Sequence, residues 1–135
     1  MLLAAMFGAF GRGVVTISGG TIGSENPTGG IAAVRFNTDG TVDRGIDGGF
    51  VQINADTDWI RPTVHASAAY ELRCTVESGT LSSGTTDTWL AMDDNRTFSV
   101  VAGPGQFAAA TITIEIRMGG TVLASGVYNL SVNAQ

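Results

Sequence analysis

The sequence predicts an all-β chain in two antiparallel layers, and three observations predict it. Breaks fall at close intervals: Gly19-Gly20, Asn26-Pro27, Gly29-Gly30, Asp39-Gly40, Gly48-Gly49, Ser78-Gly79, Ser83-Gly84, Gly103-Pro104-Gly105 and Gly119-Gly120 leave no room for a long helix. Between the breaks lie runs of Val, Ile, Thr and aromatic residues, which suit a pleated, half-buried surface. Two of these runs alternate apolar and polar side chains at every step, the period of a strand with one wet face.

The elements follow in order. Residues 1–10, MLLAAMFGAF, are an unbroken apolar and glycine run, too short for the roughly twenty residues that span a bilayer. A secretory leader carries a positive charge ahead of its apolar stretch, whereas the first one here, Arg12, comes after it. Residues 1–13 therefore read as a docking arm that buries Leu2, Leu3, Met6, Phe7 and Phe10 against the body or another subunit, with a membrane-active peptide as the alternative. Residues 14–135 read as a single domain.

Within that domain, strands are expected at 14–18, at 31–37 turning at Asp39-Gly40, and at 50–54. Over 70–77 the alternation sets Tyr70, Leu72, Cys74 and Val76 on one face and Glu71, Arg73, Thr75 and Glu77 on the other. Shorter strands are expected at 88–92 and 97–101. Over 111–118, Ile112, Ile114, Ile116 and Met118 face inward and Thr111, Thr113, Glu115 and Arg117 outward. Gly119-Gly120 then permits the positive φ angles of a tight hairpin. The chain returns through 121–125 and 128–132, with Gly126 suited to a bulge or a bend between sheets. Connections this short cannot join parallel neighbours, since a parallel crossover takes a dozen or more residues. Seven or eight short antiparallel strands fit an immunoglobulin-like β-sandwich, with an open barrel as the competing topology.

Composition narrows the function classes. The 135 residues suffice for one core. Charged residues make up 14%, against about 25% in average globular chains. The 7 basic residues are all arginine, and the formal net charge is -5. No basic run is present to neutralise a phosphate backbone, which argues against nucleic acid as the main partner. So much neutral Thr, Ser, Ala and Gly surface is easily buried against neighbouring subunits. Cys74 is the single cysteine, so no intramolecular disulfide is possible.

The chemistry-bearing residues are few. His65 is the only histidine, and Cys74 lies in the inward row of its strand, so a Cys–His nucleophilic pair would need the sulfur turned outward. No G-x-S-x-G elbow is present. Residues 54–58 copy the first half of a calcium loop, but Trp59 stands where glycine makes the turn and His65 where a bidentate glutamate belongs. Asp56 and Asp58, or Asp93 and Asp94, offer at most a loose hard-cation site, and turn formation by Asp side chains explains them without an ion. Gly103-Pro104-Gly105 lacks the lysine and strand-to-helix setting of a phosphate loop. Asn95-Arg96-Thr97 and Asn129-Leu130-Ser131 match the glycosylation pattern. Trp59 and Trp89 read either as core or as a ligand or partner surface. The sequence thus assigns no catalytic, cofactor-binding or metal residue. Its candidate site is the partner-binding arm.

A set of segments carries a resemblance. Trp59 and Pro62, then Tyr70-Glu71-Leu72-Arg73, residues 78–86 (SGTLSSGTT), Trp89-Leu90, residues 95–100 (NRTFSV), residues 112–117 and residues 121–125 together resemble a family of small virion structural proteins of tailed bacteriophages. The likeness covers roughly 58–132 and is a pattern of packing and turn residues. It implies an immunoglobulin-like domain in a non-enzymatic virion protein associated with the tail tip, baseplate or fibre. The expected partners are other virion proteins or further copies of the chain. Capsid decoration is the alternative role, and a carbohydrate-binding module using Trp59 or Trp89 is the third.

Overall fold

The computed structural model describes residue 15 and residues 17–38, 40–46, 49–52 and 70–135. The expected arm, with Leu2, Leu3, Met6, Phe7 and Phe10, lies outside the described residues. So do Asp56, Asp58, Trp59 and His65.

The described residues hold nine strands and no helix: β1 (Gly20–Asn26), β2 (Gly30–Phe36), β3 (Val42–Ile46), β4 (Gly49–Gln52), β5 (Tyr70–Gly79), β6 (Leu90–Ala91), β7 (Arg96–Ala102), β8 (Phe107–Met118) and β9 (Thr121–Ala134). They form two sheets, a five-stranded one ordered β1-β9-β8-β5-β6 and a four-stranded one ordered β4-β3-β2-β7. The all-β expectation holds, with more strands than the seven or eight expected.

One core joins the sheets. Its residues include Ala32, Val34 and Phe36 of β2, Leu72 and Cys74 of β5, Phe98 and Val100 of β7, Ile112, Ile114 and Ile116 of β8, and Tyr128, Leu130 and Val132 of β9. Phe36 sits at the junction. It meets Phe98 edge-on in its own sheet at 6.3 Å and Tyr128 of the other sheet at 5.8 Å, the edge-to-face geometry that ring quadrupoles favour. Each fully buried isoleucine of β8 contributes about 1.5–3 kcal/mol of burial before ordering costs.

The two alternating runs form strands as expected. Tyr70, Leu72 and Cys74 are buried and Glu77 is exposed; Ile112, Ile114 and Ile116 are buried while Thr111, Thr113, Glu115 and Arg117 lie on the other face. Gly119 and Gly120 have φ of 59° and 82°, and the β8–β9 hairpin closes on them.

Four expectations need correction. Of the strand expected at 14–18, the described residues 15, 17 and 18 are not in a strand, and the first strand among the described residues is β1, which begins at Gly20. That strand pairs with β9 in parallel, Gly20 opposite Tyr128 through Asn26 opposite Ala134, so the sheets are not wholly antiparallel. The crossover-length rule constrains strands that follow one another, and β1 and β9 come from opposite ends of the domain. The register shift in β9 falls opposite Ile116 and Arg117, near Leu123, while Gly126 pairs regularly with Ile114. Gly126 instead admits the leading segment: Ser18 and Gly19 backbone atoms lie 3.4 Å from the position of a Cβ there. Finally, the strand expected over 88–92 is reduced to Leu90 and Ala91, paired with Leu72 and Glu71.

The second sheet carries a buried charge. Asp43 is 5% exposed and stands directly opposite Arg35, whose guanidinium it pairs with. Asn37 Nδ2 donates to the same carboxylate oxygen at 2.9 Å. The contacts from Arg35 and Asn37 offset the desolvation of the anion. At the edge of this sheet, Ser82 and Ser83 bond to Ser99 of β7 through the backbone, and Ser82 Oγ accepts from the Val101 N–H at 2.9 Å. This edge is thereby covered in part.

Candidate interaction site on the outer sheet face

The antiparallel register of β5 and β8 places Glu71 opposite Arg117 and Arg73 opposite Glu115, so each acid faces a base across the ladder. Arg73 donates to Glu115 Oε1 from Nε at 3.0 Å and from Nη2 at 2.7 Å, and Arg117 Nε donates to Glu71 Oε1 at 2.9 Å. All four side chains are half-buried. Sequence alternation put Arg73 on this face, and its partner lies 42 residues away, because cross-strand neighbours are closer than i,i+2 neighbours on one strand.

Trp89 completes the cluster. It immediately precedes Leu90, which pairs with Leu72, and so reaches the outer side of β5. The guanidinium carbons of Arg117 and Arg73 lie over its ring at 4.0 and 4.6 Å from the centroid. Trp89 is half-buried and stands outside the buried core cluster, which settles its reading against core packing. A cation over an indole face is attracted by the ring quadrupole, and ion pairing to glutamate holds each cation in place. The result is an aromatic ring stacked on two guanidinium groups, each paired with a carboxylate.

Beyond this cluster the face is rich in hydroxyl groups. Thr113 Oγ1 donates to Glu77 Oε1 at 2.9 Å, and Thr111 Oγ1 donates to Asn129 Oδ1 at 2.9 Å. Phe107, 67% exposed, begins β8 on the same side as Thr111 and Thr113.

Cys74 is buried; burial first and the nearby Asp87 carboxylate second push its thiol from 9.0 up to about 12, so it is not a thiolate at neutral pH. Burial also raises Tyr70. Asp93 pairs with Arg96 at 3.5 Å, and Asp94 Oδ1 accepts from the Asn95 N–H at 2.8 Å, the turn-forming role expected of them. Among the described residues no group of three or more His, Cys, Asp or Glu is arranged to hold a metal. Gly103 and Gln106 close the turn between β7 and β8, Gln106 N donating to Gly103 O at 3.0 Å. Asn95 is exposed and accepts from the Thr38 N–H at 3.0 Å, and Asn129 is exposed on β9. No helix among the described residues is long and apolar enough to cross a membrane.

Sequence reasoning missed two features here. The Arg35–Asp43 pair lies where Val42 and Arg44 flank an aspartate, with no alternation to mark Asp43 as buried. Arg44 was also missed: it stands opposite Val34 on the inward side of β3, its guanidinium carbon 5.9 Å from the Tyr128 ring centroid. Comparison with protein-family models, with curated proteins and with solved structures finds no match to the chain.

Proposed function

We propose that this chain is a non-enzymatic structural protein of a tailed-bacteriophage particle, associated with the tail tip, baseplate or fibre. We further infer that its two sheets form an immunoglobulin-like sandwich. In that reading β9, β8, β5 and β6 take the places of strands G, F, C and C′ of a variable-type sheet, and β2 and β7 those of B and E. The β3–β4 hairpin beyond β2 departs from that plan.

One observation carries the reading. The segments of the resemblance that fall among the described residues do not scatter over the fold. They lie on parts of β5, β6, β8 and the start of β9 in the five-stranded sheet, on the connection after β5, and on β7 of the other sheet, which that connection meets through Ser82, Ser83 and Ser99, and they contain both arginines of the Trp89 cluster. A pattern of packing and turn residues is informative when it builds one continuous set of neighbours.

Docking is assigned to the arm at 1–13, through Leu2, Leu3, Met6, Phe7 and Phe10. Five large apolar side chains can supply on the order of 1.5–3 kcal/mol each before ordering costs. The test is imaging of intact particles that carry the gene, with and without deletion of residues 1–10. The expected result is density for the domain at the tail, lost on deletion while the purified variant keeps a cooperative unfolding transition. Density on the head shell would replace the tail assignment with capsid decoration. Absence from purified particles would overturn the proposal.

A further inference from the structure

We propose that the N-terminal arm of one copy adds as a strand to the sheet of a second copy, along the edge of β9 from Thr121 to Gly126. The acceptor so named depends on the docking role given to the arm and not on the virion reading. Three features of the five-stranded sheet carry it.

The first is a length of edge without a partner. β1 accompanies β9 only from Gly20, opposite Tyr128, to Asn26, opposite Ala134, whereas β9 begins at Thr121. The stretch 121–126 pairs with β8 on one side, and among the described residues no strand pairs with it on the other. Its sequence, TVLASG, holds neither charge nor proline, the features that commonly blunt an open edge. Val122 and Val127 are 46% and 48% exposed, and Thr121 and Ser125 are exposed as well, so side chains all along this stretch reach solvent. The edge of β7, by contrast, is taken up by Ser82 and Ser83.

The second is the path of the chain's own leading segment. Continued backward in the register of β1, it would run beside this stretch from Gly19 opposite Val127 onward. It leaves the ladder there instead. Ser18 and Gly19 pass over the buried Gly126, Ile17 enters the core, and Arg44 Nη2 on the inward side of β3 donates to Gly19 O at 3.4 Å. The leading segment thus turns under β9, between the sheets, and leaves the edge to a strand from outside.

The third is the match to the arm. At the same end of the sheet Met118, Leu123 and Ala124 pack on the core but are only partly buried. Residues 1–10 bring five large apolar side chains, with no charged one before Arg12. Six strand residues cover about 20 Å. The residues ahead of Val15 extend to about 45 Å, enough to leave one body and run the length of the edge on another. The arm's backbone would take up the N–H and C=O groups of the edge, and every second side chain would lie over Met118, Leu123 and Ala124.

The test is disulfide trapping in the full chain, in a Cys74→Val background. Val122→Cys is combined in one polypeptide with Ala4→Cys, Ala5→Cys or Ala9→Cys, since a bridge forms only where the two Cβ atoms come within about 4.5 Å. The expected result on oxidation is dimers and longer species bridged from the arm of one copy to position 122 of another, in at least one of the three pairs. A bridge closed within single chains, or no bridge between arm and position 122 in any pair, would overturn the proposal. Sedimentation gives a second readout. The unaltered chain should sediment as an oligomer, and deletion of residues 1–10 or Val122→Asp should each reduce it to a monomer that keeps a cooperative thermal transition. If Val122→Asp fails to fold, Ser125→Lys at an exposed position takes its place. A monomeric unaltered chain, or an oligomer that survives the deletion, also overturns the proposal. A chain found in particles yet never bridged between copies would sink the strand addition and leave the particle assignment standing.

Discussion

A Cβ placed on Gly19 would stand 1.5 Å from the carbonyl oxygen of Val127, so the leading segment crosses β9 at a distance only glycine allows. The atoms it would strike are backbone, which cannot rotate away. Gly19→Ala is therefore expected to destabilise the domain by about 1–3 kcal/mol, as overpacking of a fixed site does. Gly126→Ala, whose nearest neighbours lie at 3.4–3.5 Å, should cost less than about 1 kcal/mol. Urea denaturation of the two variants measures the difference, and equal losses would show that the crossing relaxes.

How much of this was legible follows from the physics of each element. β5 and β8 announced themselves because each buries one face and wets the other, which writes a period of two into the sequence. β1, GTIGSEN, has one buried apolar residue, Ile22, among glycine, serine and threonine, so no alternation marked it. Its parallel place beside β9 is a relation between chain ends that no local pattern encodes. At the candidate site the outward residues Glu71, Arg73, Glu115 and Arg117 were legible one strand at a time. Their partners and the position of Trp89 were not, because both depend on the register between β5, β6 and β8.

The β8–β9 turn predicts a stabilising change. Gly119 has φ 59°, a left-handed angle that asparagine tolerates, and a Cβ there meets nothing within 4 Å. Gly119→Asn should raise stability by up to about 1 kcal/mol, by restricting the unfolded chain while fitting the turn. Gly120→Val should lower it, since a β-branched residue does not adopt φ 82°. Thermal melts of both variants check the opposite signs.

Arg117 and Trp89 should be coupled. A double-mutant cycle with Arg117→Ala and Trp89→Ala is expected to give an interaction energy of about 0.5–1 kcal/mol, the worth of a partly exposed cation over an aromatic face. The cycle removes the separate loss of the Glu71 pair, which both Arg117→Ala backgrounds share. Additive single losses would mean that the ring and the guanidinium are neighbours without mutual attraction.

Cys74 predicts an alkaline limit to stability. Its thiol is raised from 9.0 to about 12 in the fold, by burial and then by Asp87. Below pH 9 both folded and unfolded chains hold the proton, and the full contribution is present. As the pH climbs from 9 towards 12 the unfolded chain releases its proton while the folded chain keeps it, so unfolding gains and stability declines. Cys74→Val, close in volume and without a titrating group, should flatten that part of the curve. The raised Tyr70 remains in both proteins, so a shallower decline above its ordinary value of 10.0 should persist. Unfolding free energies measured from pH 7 upward decide it, and superimposable slopes for the two proteins would show that the thiol does not govern the alkaline limb. The same burial predicts that iodoacetamide leaves Cys74 unmodified in the native protein at pH 8 and alkylates it in urea.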